Sequence, residues 1–233
     1  MANQLQTYFN AFQHLFFPHY CKGCGVDFIS LNSFLCSRCI AQLPSTHFSE
    51  IANNPVEKIF AGRISLTAGT ALYYFTKAGL LQYILVQLKY KNNQAAGFFL
   101  GTQLGIALKK SILFQQIDCI VPLPLHPKKE YMRGYNQAAI IATGIASVWN
   151  KPILNNAVIR QVFTKTQTQE TRTSRWQNME GVFEVTRPDL LQNRHILLVD
   201  DVVTTGASLE SCGLAILQVP GAQLSIATVA YTL

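Results

Sequence analysis

The sequence predicts an α/β protein, a parallel sheet flanked by helices, with a small four-cysteine module on its N-terminal side. Three observations predict it. Ile196–Val199 is an unbroken apolar run, the signature of a parallel-sheet strand covered on both faces, and Asp200 and Asp201 follow it. Next comes a small hydroxylated turn, Thr204-Thr205-Gly206-Ala207-Ser208, that opens a helix at the sheet edge where α/β proteins bind ligands. Far upstream, Cys21-x-x-Cys24 and Cys36-x-x-Cys39 are separated by 11 residues, spacing that lets two knuckles meet one tetrahedral ion.

The remaining elements follow in chain order. Leu5, Tyr8, Phe9, Phe12, Leu15 and Phe16 recur at three- and four-residue spacing and predict an amphipathic helix that packs on the domain, with contact to a membrane surface as the alternative. With the cysteines it makes up a module over 1–45. A linker over 46–63 follows, broken by Asn53, Asn54 and Pro55, and the main domain runs from 64 to 233. Within that domain, Ile64–Thr76 reads as β-structure around Gly69, Leu80–Tyr90 as an amphipathic helix and Gln94–Lys110 as a second helix. Cys119-Ile120-Val121 is a short strand that Pro122 and Pro124 stop. A basic loop with His126, Lys128, Lys129 and Arg133 then leads into a helix from about Asn136 to Trp149, with Asn136 suited to cap it. Between Val162 and Phe183 the chain is polar, threonine-rich and basic, without apolar period.

Composition bounds the function. In 233 residues the formal charge is +7 and 49% of residues are hydrophobic, so the chain folds around an ample core and attracts polyanions. The N-terminus lacks a basic region followed by an apolar core, which predicts no secretion and a cytoplasmic location. No apolar run reaches a membrane span: Thr102 and Gln103 interrupt Gly97–Leu108, and Lys109-Lys110 end it.

The chemistry of the turn favours a sugar phosphate. Backbone N–H groups and the hydroxyls of Thr204, Thr205 and Ser208 at a helix N-terminus suit a phosphate monoester, and Gly206 permits the positive φ such a cradle needs. Neither G-x-x-x-x-G-K-[ST] nor G-x-G-x-x-G occurs. Asp200 and Asp201 can accept hydrogen bonds from a ribose diol; the competing reading is that they cap a turn. For the cysteines zinc is the expected metal, beside redox dithiols, an iron–sulfur site or disulfides. Four thiolates would close the coordination shell and make the ion structural. Cys119 and Cys212 sit in apolar contexts, as buried thiols do.

The segment Asp200–Ser208 resembles the phosphoribosyl pyrophosphate motif of type I phosphoribosyltransferases. Further segments narrow the resemblance to the ComF family: Val121-Pro-Leu-Pro-Leu-His-Pro-Lys-Lys with Arg133-Gly-Tyr-Asn-Gln-Ala, Thr166-x-x-Gln169 with Arg172, Arg175, Asn178 and Gly181, and the four cysteines. The resemblance implies a type I phosphoribosyltransferase-like fold beside a zinc module, and a role in DNA uptake and natural transformation. It implies that Leu123, Pro124, His126, Lys128 and Arg133 hold pyrophosphate, and that Lys165, Arg172 and Arg175 belong to a flap. Asp200 and Asp201 would orient the ribose with Mg2+. The flap cations could instead follow a single DNA strand, with Trp176 either a stacking platform or a packing residue. A leucine-lysine-tyrosine segment like Leu88-Lys89-Tyr90 recurs in the family, though Lys89 reads equally as a solvated helix-end charge. Thr204 stands where some purine enzymes carry an acid, so the acceptor stays open. Pentosyl transfer to another acceptor without a DNA role, and ligand-sensing regulation, are the alternatives.

Overall fold

The computed structural model describes residues 20–27, 34–161 and 182–232, in two units, Met1–Pro44 and Ser45–Leu233. The expected N-terminal helix, Lys165, Arg172, Arg175 and Trp176 lie outside the described residues. In the first unit, Tyr20 and Asp27 form an antiparallel bridge around the first cysteine pair, and helix α1 (Ser37–Ala41) carries Cys39.

The second unit is built on four parallel strands in the order β1-β6-β5-β2: β1 (Ala68–Phe75), β2 (Cys119–Pro122), β5 (His195–Val203) and β6 (Gln223–Thr232). The central strand β5 pairs Leu198 with Ile226 of β6 on one side and Val121 with Leu198 on the other. Ile196–Val199 is fully buried, as the continuous apolar run requires. A separate antiparallel pair, β3 (Val158–Arg160) and β4 (Phe183–Val185), brackets residues 162–181.

Helices cover the sheet. The segment expected as a linker does not connect; it packs. Phe48, Val56 and Phe60 join the core beneath the sheet, and Pro55–Phe60 forms helix α2. Asn54 and Pro55, read as breakers, are a helix start: Asn54 accepts from Val56 N at 2.9 Å, and Pro55 occupies the first turn. The same Asn54 is 2% exposed and donates to Gly69 O of β1 at 2.7 Å, stitching the segment to the strand. Helices α3 (Leu80–Tyr90) and α4 (Gln94–Lys110) occupy the expected spans.

The basic stretch after β2 is a helix rather than a loop, α5 (Pro127–Arg133), followed by α6 (Gln137–Trp149). Pro127 at its start, His126 as its cap and Gly134 at φ 82° after its end delimit it. Gly97, Gly101 and Gly105 of α4 face α6, where a Cβ on Gly101 would run into the Ile141 carbonyl. This backbone contact, rather than a lipid face, accounts for the apolar run of α4. Among the described residues no helix is long and apolar enough to cross a membrane. Helix α7 (Ala207–Leu217) returns the chain to β6, with Leu209, Cys212 and Ile216 in the core.

At the opposite end of β5 from the turn, His195 is 4% exposed. Its Nε2 lies 2.9 Å from Ser225 Oγ, and its Nδ1 has no partner among the described residues. Burial holds its pKa below the ordinary 6.5, against the opposing pull of Asp118. The folded chain thus binds fewer protons than the unfolded one, so this contribution is intact above about 6.5 and is lost as pH falls from there toward the folded pKa. Urea unfolding from pH 7.5 to 5 should show stability declining below about 6.5, with a shallower decline in His195→Asn.

Candidate functional site

The candidate ligand site lies at the C-terminal ends of β2 and β5. Strand β5 runs past the acidic pair to Val203, so Asp200 and Asp201 are within the strand rather than beyond it, and Asp200 pairs with Thr228. Successive side chains leave a strand on opposite faces, and the two carboxylates have different neighbours. Lys89 Nζ, at the end of α3, lies 2.8 Å from Asp201 Oδ2, with both side chains largely buried. Asp200 faces α7, where its charge adds to burial in pushing up the Cys212 thiol. Burial first, and the Asp201 charge second, push Asp200 up to about 8, although its Oδ1 accepts from Asp201 N at 2.8 Å. Lys89 could be read from sequence only as a family motif or a solvated charge; the ion pair is a tertiary fact.

The turn after β5 has the expected form. Gly206 caps α7 at φ 74°, in the left-handed region, and Thr204, Thr205 and Ser208 are exposed around the helix N-terminus. Ala207 is the first helical residue. What the sequence did not signal is the support behind this turn. Arg63 Nη1 donates to Thr205 O at 3.0 Å and to Ile59 O at 3.1 Å, while Nη2 pairs with Glu210 on α7. A Cβ on Gly206 would stand 2.7 Å from Phe60 Cε1 and 2.9 Å from Ile59 Cγ2. The stretch expected as linker therefore positions the turn.

On the β2 side, Leu123 N donates to Val199 O at 2.8 Å, extending the sheet past Pro122 and placing Pro124 and His126 beside the end of β5. His126 Nδ1 accepts from Lys128 N at 3.1 Å, so the cap takes Nδ1 and not Nε2. Asn136 caps α6, accepting from Ala138 N at 3.0 Å, and donates to Leu123 O at 2.9 Å. Lys128 and Lys129 are exposed, and the Arg133 guanidinium lies 5.8 Å from the Tyr90 ring centre. The Tyr135 hydroxyl donates to Leu88 O, tying the connection between α5 and α6 to the end of α3 beside Lys89.

In the first unit Cys21, Cys24, Cys36 and Cys39 bring their sulfurs within 4.8 Å of one another. Cys24 Sγ and Cys36 Sγ are 3.7 Å apart, against an edge of about 3.8 Å for a tetrahedron of thiolates around zinc. Burial acts to raise the Cys21 thiol, but Cys36 N at 3.2 Å and Gly23 N at 3.4 Å donate to its sulfur and bring it down to about 6. Such N–H donors are what a metal-bound thiolate needs. Burial and the neighbouring sulfurs push Cys39 up to about 12, the cost of crowding thiols that an ion would relieve. The cluster fits a structural metal.

No protein-family model matches the chain. Competence protein F of Haemophilus influenzae is 27% identical over 197 residues, covering 83% of this chain and 76% of that protein. DNA utilization protein YhgH of Escherichia coli K12 is 28% identical over 132 residues, and competence protein ComFC of Bacillus subtilis 31% over 101. The chain is similar to competence proteins of the ComF family. The match spans 57% of YhgH and 38% of ComFC, less than two thirds of either. Among solved structures, the chain is similar to the glutamine phosphoribosylpyrophosphate amidotransferase of Bacillus subtilis complexed with ADP and GMP. That likeness has a TM-score of 0.43 at 15% identity and covers 58% of this chain and 26% of that one.

Proposed function

We propose that the chain binds phosphoribosyl pyrophosphate with a divalent cation at the ends of β2 and β5, and that it acts in DNA uptake. The observation that carries the ligand reading is the juxtaposition of a left-handed, hydroxyl-lined turn at Gly206 with half-buried Asp200 and buried Asp201. Exposed Thr204, Thr205 and Ser208 hydroxyls and the N–H groups of Gly206, Ala207 and Ser208 receive the 5′-phosphate. Asp200 and Asp201 take the ribose hydroxyls. Their crowded carboxylates are hard oxygen donors that suit Mg2+, which would neutralise pyrophosphate charge. Leu123 and Pro124 present backbone to the pyrophosphate, His126 offers Nε2, and Lys128 and Arg133 supply positive charge. Lys165, Arg172 and Arg175 complete the proposed ligand set from outside the described residues.

Lys89 joins this set. Its ammonium sits on Asp201 and can exchange that carboxylate for a pyrophosphate oxygen, so ligand binding need not leave a buried charge unpaired. For DNA uptake, the support is the family and the names of its relatives, two competence proteins and a DNA utilization protein. The four-cysteine cluster would hold zinc as a structural ion.

Titration calorimetry with phosphoribosyl pyrophosphate and Mg2+ should show binding that Asp201→Asn weakens by about tenfold or more, since a charge-assisted contact contributes roughly 1.5–3 kcal/mol. Lys89→Met should weaken it also. Equal binding by wild type and Asp201→Asn, with both folded by circular dichroism, rejects the ligand reading.

A further inference from the structure

Helix α5 has no buried residue. It is held by its ends, Pro127 and the His126 cap at one and the Gly134 N–H to Glu130 O bond of 2.7 Å at the other, while its side chains point outward. Tyr131 is 89% exposed and Met132 77%. Across from them Tyr90, at the end of α3, is 71% exposed and carries the Arg133 guanidinium near its ring. Together these elements border an open cleft of ≈ 660 Å³ whose cations are Lys89, Lys129 and Arg133; among the described residues none of its lining side chains is acidic. Exposed Lys91 and Lys128 flank it.

Two large rings left in water, Tyr131 on a helix that contributes nothing to the core and Tyr90 at the exposed end of α3, call for a ligand with flat faces, and the surrounding cations call for an anionic one. We propose that the α3–α5 cleft is a binding surface for single-stranded nucleic acid, with bases stacking on Tyr131 and Tyr90 and the backbone following Lys129, Arg133 and Lys91. Base stacking on an aromatic ring beside phosphate-binding cations is how strands are held without sequence preference. An acidic peptide would satisfy the cations but leave the ring faces unused. The inference rests on the DNA-handling part of the function proposed above and deepens it by naming the surface. It shares Lys89 and Arg133 with the proposed pyrophosphate set and adds Tyr90, Lys91, Lys129 and Tyr131.

The test is fluorescence anisotropy of the full chain with a labelled oligothymidylate of about 15 nucleotides across a salt series. Tyr131→Ala is expected to weaken binding about tenfold and Tyr131→Phe to leave it unchanged, because the ring face is what a base uses. Lys129→Ala should lower the salt slope by about one. A duplex of the same length should bind more weakly. Wild-type chain that ignores the oligonucleotide, or binds the duplex as tightly, overturns the surface; so does a Tyr131→Ala chain that binds like wild type. Phosphoribosyl pyrophosphate calorimetry on Tyr131→Ala separates the two readings. If that ligand binds neither chain while the oligonucleotide response holds, the ligand reading fails and the cleft stands.

Discussion

Gly206→Ala is expected to destabilise the second unit by about 2–5 kcal/mol and to abolish binding of the phosphate ligand. Two costs combine. A left-handed φ of 74° costs a residue with a Cβ roughly 1–2 kcal/mol. The new methyl would also stand 2.7 Å from Phe60 Cε1, an overpacking worth about 1–3 kcal/mol in a well-filled core. Relief by shifting the turn moves the N–H groups of Ala207 and Ser208, so binding suffers even if the fold survives. Gly221→Ala is the control. It too has positive φ, at 70°, but lies in the turn before β6, at the end of the sheet away from the ligand site. Urea unfolding should show both variants weakened, whereas calorimetry should show binding lost only in Gly206→Ala. Retained binding in Gly206→Ala would remove the turn from the site. Arg63→Ala should reproduce the binding loss in milder form, by releasing the Thr205 carbonyl and Glu210.

Zinc extraction is the second large effect. Binding to a structural four-thiolate site contributes about 10–16 kcal/mol to folding, more than a unit of this size can derive from its own core. The chain is expected to carry one zinc per molecule. Cys24→Ser or a strong chelator should melt the first unit while leaving the thermal transition of the second in place, read by near-ultraviolet circular dichroism and metal analysis. A full complement of zinc in Cys24→Ser, or an unchanged spectrum after complete metal removal, would contradict a structural ion there.

Much of the local structure at the candidate site was legible in residues 196–208. A buried strand, an acidic pair, hydroxyls and a glycine in one short stretch constrain local structure strongly, and the glycine adopts the φ that the pattern demands. Helices α3 and α4 were legible for the same reason, sustained apolar period with clear ends. Residues 46–63 were not. Asn54 and Pro55 are ambiguous locally, because the same pair breaks a chain or starts a helix, and only the partner at Gly69 decides which. The basic stretch after β2 was misread similarly: seven residues with no buried face give no apolar period, so helix α5 is visible only through its capping bonds.

By itself the sequence determined which groups this protein carries: thiols spaced for one ion, carboxylates beside a hydroxyl-lined glycine turn, and a surplus of cations. Tertiary structure decided which of those groups meet. Lys89 and Asp201 are 112 residues apart and form an ion pair, and Arg63 reaches Thr205 across 142 residues. Such partnerships leave no periodicity in the chain, because they arise where separate elements converge at the end of a sheet. The physical reason is one of range. Dihedral preference and apolar period act over a few neighbouring residues, whereas the pairing of buried charges and the support of a strained turn are settled only when the core closes around them.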